Sequence, residues 1–260
     1  MSYLIKKIMV LIYGLKKFFR FLISYFYHLL GFMIGETRAK KIKFLILRVI
    51  KGFRQRNTLK ADVLRLAELV KIGKRLKLHF GSDVRVLKDW INIDIAPYRY
   101  RADYPFSDPP ELRGGREDFF QIDFRECSLP FPDNSVELIF HEDFIEHLTQ
   151  KETVLFLAET YRVLMPGGIH RVNTPELLSS LKKHCDFKKG ILGVDTEEWD
   201  RYGHHHVLTK RFLEELAKSV GYREVVFNGR NKSSSNLIPK EYRPGDDRTE
   251  EEQIFCDLIK

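Results

Sequence analysis

The apolar positions change their period along the chain, and each change predicts an element. Residues 2–35 hold no proline. At about 100° per residue, Lys6, Lys16, Lys17, Arg20, Ser24 and His28 fall within one arc, with Phe18, Phe19, Leu22, Tyr25, Phe26 and Leu29 opposite. Ile42, Leu45, Ile46, Val49, Ile50 and Phe53 form a second stripe, from which Lys40, Lys41, Lys43, Arg48, Lys51 and Arg54 mostly face away. Residues 1–57 therefore read as a basic amphipathic helical extension, and residues 58–260 as the main domain.

Within that domain a helix is predicted from Leu59 to Ile72, capped by Thr58, with Val63, Leu64, Leu66, Ala67 and Val70 inward. Strands follow at Leu76–Phe80, Ile91–Ile95, Phe119–Phe124 and Val136–Phe140, with a Pro- and Arg-rich loop over Pro97–Gly115. The capping box Thr149-Gln150-Lys151-Glu152 starts a helix expected to bury Val154, Leu155, Leu157, Ala158, Tyr161 and Leu164. Pro166-Gly167-Gly168 should stop it and turn into a fifth strand, Ile169–Val172. A helix over Thr209–Val220, closed by Gly221, precedes two β-like runs, Glu224–Phe227 and Gln253–Ile259.

Strands alternating with helices argue for an α/β domain, a mostly parallel sheet with helices on both faces. Ligands of such sheets sit beyond the carboxyl ends of the strands. Gly81–Asp83, Asp94, Asp123 with Phe124, Glu142–Asp143 and Asn173–Glu176 each lie at or just after the end of an apolar strand. They are the candidate site.

Charge divides the chain. Residues 1–60 carry 14 Lys/Arg against the single acid Glu36, while the remainder carries 30 Lys/Arg and 35 Asp/Glu. An anionic partner is thus expected for the leader alone. The longest apolar stretch, Ile8–Gly35, is broken by Lys16, Lys17 and Arg20, so it reads as an interfacial helix and not a membrane span. No small-residue cleavage site follows the first apolar run. An anionic membrane surface is the expected partner, with packing on the body or on a second subunit as the alternative. The aliphatic stripe argues against nucleic acid. The expected location is cytoplasmic and peripheral to the membrane.

Cys127, Cys185 and Cys256 match no zinc or redox spacing and read as free thiols. His204-His205-His206 is not expected to hold a metal, since consecutive side chains point apart. His204 or His205 remains a candidate general base, because imidazole titrates near neutrality. Only 13 residues separate Gly81 from Asp94, against roughly 20 in a dinucleotide fingerprint, so NAD is disfavoured.

Several motifs resemble class I S-adenosylmethionine-dependent methyltransferases, particularly small ones acting on metabolites or sugars. They are Leu129-Pro130-Phe131-Pro132-Asp133-Asn134-Ser135, Glu146-His147-Leu148, Tyr161-Arg162-Val163-Leu164-Met165-Pro166-Gly167-Gly168 and Thr174-Pro175-Glu176. Gly81, Trp90-Ile91-Asn92-Ile93-Asp94, His204 and Val220-Gly221-Tyr222 extend the likeness over residues 76–260. It implies a Rossmann-like sheet of seven strands ending in an antiparallel pair, with S-adenosylmethionine as cofactor. Gly81, Ser82 and Asp83 would approach its methionine part, Asp94 its ribose hydroxyls, and Asp123 with Phe124 its adenine. Glu142, Asp143 and His204 would act near the transferred methyl. The sequence departs from the pattern at Asp83 and Asp89, where glycines are usual, at His79, and at Glu142-Asp143, where a serine-histidine pair is common. The implied activity is methyl transfer to O or N of a small-molecule, sugar or lipid-linked acceptor. The alternative is a membrane-associated binding protein that kept the fold and lost catalysis.

Overall fold

The computed structural model describes residues 60–71, 76–99, 108–125, 128–241 and 249–260. The chain divides into two units, Met1–Thr58 and Leu59–Lys260, and only the second is treated below. Expectations for the leader, the Thr58 cap, Ile72, Cys127 and the loop residues 100–107 lie outside the described residues.

Seven strands form one sheet in the order β3-β2-β1-β4-β5-β7-β6. They are β1 (Leu76–Phe80), β2 (Ile91–Asp94), β3 (Phe119–Gln121), β4 (Val136–Glu142), β5 (Leu164–Pro175), β6 (Glu224–Phe227) and β7 (Gln253–Ile259). β1 to β5 pair in parallel, and β7 runs antiparallel to both β5 and β6. This is the Rossmann-like methyltransferase architecture, a sheet flanked by helices. The chain steps outward from β1 to β3 and returns at β4, so the order reverses between β1 and β4. That is where the strand ends splay and leave room for a ligand.

The helices are α1 (residues 60–70), α2 (Gln150–Val163), α3 (Leu177–His184), α4 (Glu197–Asp200) and α5 (Lys210–Val220). α1 docks through Asp62, whose carboxylate accepts from Gln121 N and pairs with Arg116 at 2.9 Å. The capping box at Thr149 and Glu152 and the Gly221 cap, at φ +125°, stand as the sequence predicts.

Some expectations fail for local reasons. α2 buries Thr153, Phe156, Leu157, Thr160 and Val163, while Val154 and Leu155 are 40% and 51% exposed. Thr153 and Thr160 return their hydroxyl bonds to Thr149 O and Phe156 O, so both can face the core. Phe156 packs edge-on against Phe80, with centroids 5.0 Å apart, and so fixes the rotation of the helix. Pro166-Gly167-Gly168 does not separate helix from strand, because β5 starts at Leu164. The extra residues are absorbed by a register shift against β4, and Gly167 N and Gly168 O bond to Lys260. α3, α4 and the 3-10 turns between them were not foreseen.

Candidate functional site

A cavity of about 410 Å³ opens at the carboxyl ends of β1, β2, β3 and β4. That volume suits a small organic cofactor. Its apolar surface comes from Phe80, Ile93, Ile95, Ile122, Phe124, Phe144 and Leu148, and its polar groups are Asp83, Asp94, Asp123, Asp143, Arg125 and His147. Four carboxylates against one guanidinium favour a cationic ligand.

Each group has a structural reason for its place. Gly81 turns the chain at the end of β1 with φ +63°, and a Cβ there would lie 2.8 Å from the Phe144 ring. Only glycine fits without moving that ring. Asp94 accepts from Asp83 N at 2.9 Å and from Ala96 N at 2.7 Å, one amide on each oxygen. Each oxygen keeps a second lone pair directed at further donors. Burial pushes the Asp94 carboxyl above its usual range, against the lowering effect of those amides. Burial also acts to raise Asp123, but the Arg125 side chain, bound at 2.8 and 2.7 Å, holds it below the usual range.

The departures from the glycine pattern have a common conformational reading. Asp83 and Asp89, where glycines are usual, have φ of 40° and 61°. Aspartate is one of the few side chains that tolerates this left-handed region. The backbone path that glycine would give is therefore kept, with a carboxylate added at each turn.

The structure gathers Gly81, Asp83, Asp94, Asp123, Phe124 and Asp143 around one cavity. It does not bring Ser82, Glu142, His204 or Asn173–Glu176 into that lining. Ser82 is buried beside the turn. Glu142 is a correction: strand alternation turns it to the sheet face opposite His141. There it pairs with the Arg85 guanidinium, which Asp108 binds at 2.7 Å. Asn173 reaches Glu142 at 3.4 Å, and Glu176 caps α3 through Ser179 N. His204 is buried next to His147, their rings 4.9 Å apart. The sequence reading missed Arg125 and Phe144 as cavity groups. His147 stood in a quoted motif, without a role.

Residues 81–172 match the family model described as a methyltransferase domain. A probable S-adenosylmethionine-dependent methyltransferase from Mycolicibacterium smegmatis is 37% identical over 62 residues, 23% of this chain and 23% of that protein. This chain therefore matches less than a quarter of that relative's length. Among solved structures, a SAM-dependent methyltransferase from Archaeoglobus fulgidus aligns at 13% identity over 82% of this chain and 99% of its own, with TM-score 0.42. A Thermotoga maritima SAM-dependent methyltransferase, described as a possible histamine N-methyltransferase, aligns at 16% identity over 83% of this chain and 96% of its own, with TM-score 0.44.

Proposed function

We propose that this chain is a methyltransferase that takes its methyl group from S-adenosylmethionine and delivers it to an oxygen or nitrogen of a small-molecule acceptor. The observation that carries the reading is the convergence of Gly81, Asp94 and Asp123 on one apolar cavity with a net negative lining. The cofactor fits that chemistry: its sulfonium and ammonium are cationic, its ribose offers two hydroxyl donors, and its adenine is flat and apolar. The absence of a side chain at Gly81 lets the Phe144 ring pack against the turn that borders the cavity, where the methionine part would lie.

Asp94 would hold the ribose through the lone pairs its two amide bonds leave over. Asp123 and the Phe124 amide would hold the adenine, between the apolar groups Ile95, Ile122 and Leu148. When bound, the cofactor supplies an electrophilic methyl open to in-line displacement. The chain then has to orient an acceptor and accept one proton. Asp143 and His147 line the wall following β4; Asp143 is assigned the proton and His147 the orientation of the acceptor. His204 stands behind His147 and positions it.

Calorimetric titration of S-adenosylmethionine into the full chain tests the proposal. Asp94→Ala should weaken binding by about 10–100-fold, the worth of one or two bonds to a charged acceptor. Absence of heat at high micromolar ligand from a folded chain would leave a binding protein without catalysis.

The basic leader assigns a location. Residues 1–57 are proposed to lie on an anionic membrane surface, each basic residue near it contributing roughly 1 kcal/mol. The acceptor is accordingly a lipid-linked or envelope-sugar compound. Among the described residues no helix is long and apolar enough to cross a membrane. Vesicles rich in anionic lipid should float the full chain and not a chain lacking residues 1–57. Equal flotation of both would remove the leader's role.

A further inference from the structure

Beside the cavity, three side chains from two distant stretches of sequence meet. Glu146 and His147 follow β4, and His204 comes from the histidine run. Their nearest ligand atoms all lie within 4.8 Å of one another. We propose that Glu146, His147 and His204 form a site for one divalent transition-metal ion of the zinc class, at the edge of the cofactor cavity.

The chain builds this meeting deliberately. His205 N and His206 N both donate to Glu146 O, at 2.8 and 3.1 Å, tying the histidine run to the turn after β4. Leu177 N donates to Leu208 O and so fixes the other end of the run. Held this way, the run sends His204 inward, 5% exposed, and leaves His205 at the surface. The three histidines thus do not share an ion, but one of them meets a second cluster that spacing could not reveal.

Distances favour an ion over a hydrogen bond. His204 Nε2 and Glu146 Oε1 are 3.9 Å apart. That separation is longer than a hydrogen bond, whose usual N–H···O range is about 2.7–3.2 Å. Two ligands at about 2.0–2.2 Å from a tetrahedral ion stand roughly 3.4 Å apart, so a small closure completes the pair. His147 is exposed and can swing to supply the third atom. Two imidazoles and a carboxylate are the donor set of open zinc sites, which keep a position for a further oxygen or nitrogen ligand.

Outer groups already orient the ligands. Thr174 Oγ1 donates to Glu146 Oε2 at 2.9 Å, turning Oε1 toward His204. Glu198 Oε2 lies 2.8 Å from His204 Nδ1, an ion-pair contact out of hydrogen-bond alignment, while Nε2 is the ring nitrogen nearest Glu146. Ser180 Oγ in turn donates to the other oxygen of Glu198 at 3.4 Å. A carboxylate behind a ligating histidine fixes its tautomer and raises its basicity. The acceptor's hydroxyl or amine would occupy the open position, where the ion lowers its pKa. That last role rests on the methyl-transfer reading, whereas the site itself does not.

The test uses the full chain, stripped with a chelator and titrated calorimetrically with Zn²⁺. A parallel Co²⁺ titration is followed by visible absorption. One ion per chain is expected. His147→Ala, an exposed change that leaves the fold intact, should weaken binding at least 10-fold, as should Glu146→Gln and His204→Ala. Glu198→Gln should weaken it by about 10–100-fold without removing a ligand, and His205→Ala should leave it unchanged. No stoichiometric binding, or binding that survives His147→Ala and falls with His205→Ala, overturns the site. S-adenosylmethionine titrated into the chelator-treated chain reads the other proposal separately. Cofactor heat without ion binding defeats the metal site alone, and ion binding without cofactor heat defeats the methyl-transfer reading alone.

Discussion

Taking the protein from pH 7 to pH 5 is expected to remove about 4 kcal/mol of folding stability through its histidines. The cause is a set of imidazoles buried in the sheet. His79 on β1 and His170 on β5 are pushed down to about 3 by burial, from an ordinary 6.5. His141 on β4 lies well below its ordinary value, through burial and then the neighbouring His170 and His79. His79 bonds Asn92 at 2.9 Å and His170 meets the Tyr222 hydroxyl at 3.1 Å. Neither ring nitrogen of His141 has a hydrogen-bond partner; its neighbours are the rings of Phe144, Phe156 and His170.

Folded values below the unfolded value make the stability complete above pH 6.5 and progressively lost as pH falls toward about 3. At pH 5 an unfolded histidine has taken up its proton while the folded one has not. With 1.36 kcal/mol per pH unit, that difference is about 2 kcal/mol each for His79 and His170, and His141 adds in the same direction. Such a loss is a large part of a domain's usual 5–15 kcal/mol. Urea unfolding at pH 7, 6 and 5 should show the midpoint falling throughout that interval. His141→Leu, which removes two ring nitrogens from an apolar pocket, should flatten the fall. A midpoint constant from pH 7 to pH 5 would mean that these rings reach water or partners that the folded packing denies them.

The layered α/β plan was legible because strand and helix periods differ, and β1, β6 and β7 fall where the sequence predicts. β4 runs two residues further than expected, to Glu142, because its pairing with Asn173 on β5 continues beyond the apolar run. The site was legible as far as it depends on strand ends: Gly81 directly follows β1, Asp94 closes β2 and Asp123 lies two positions past β3. It was illegible where a long-range partner decides. Glu142 and Asp143 are adjacent and chemically alike, yet Arg85 takes the first and the cavity the second. Likewise the inward turn of His204 depends on the His205 and His206 amides, which bond to Glu146 O, 59 and 60 positions earlier by residue number. Local pattern carries no record of such pairings.

The same kind of long-range pairing governs the largest single-site effect. Arg171 on β5 is fully buried among acids. Its Nε donates to Glu241 at 2.6 Å, Nη1 to Asp257 at 3.2 Å and to Asn228, and Nη2 to Gly229 O at 3.0 Å. Both carboxylates are as buried as the arginine. Asp257 also accepts from Ser233, Ser234 and Asn228, so one guanidinium fastens the segment from Asn228 to Glu241 onto β5 and β7. Arg171→Met keeps much of the volume but leaves two carboxylates without their counter-charge. The expected loss is about 3–5 kcal/mol, the range for breaking one side of a buried ion pair. It should be accompanied by faster proteolysis and amide exchange over residues 228–241 than over β1 and β4. Because the penalty arises from stranded charge, adding Glu241→Gln and Asp257→Asn to Arg171→Met should restore part of the stability. If the triple variant is weaker than Arg171→Met alone, the acids contribute through hydrogen bonds that amides cannot replace, and the charge account fails.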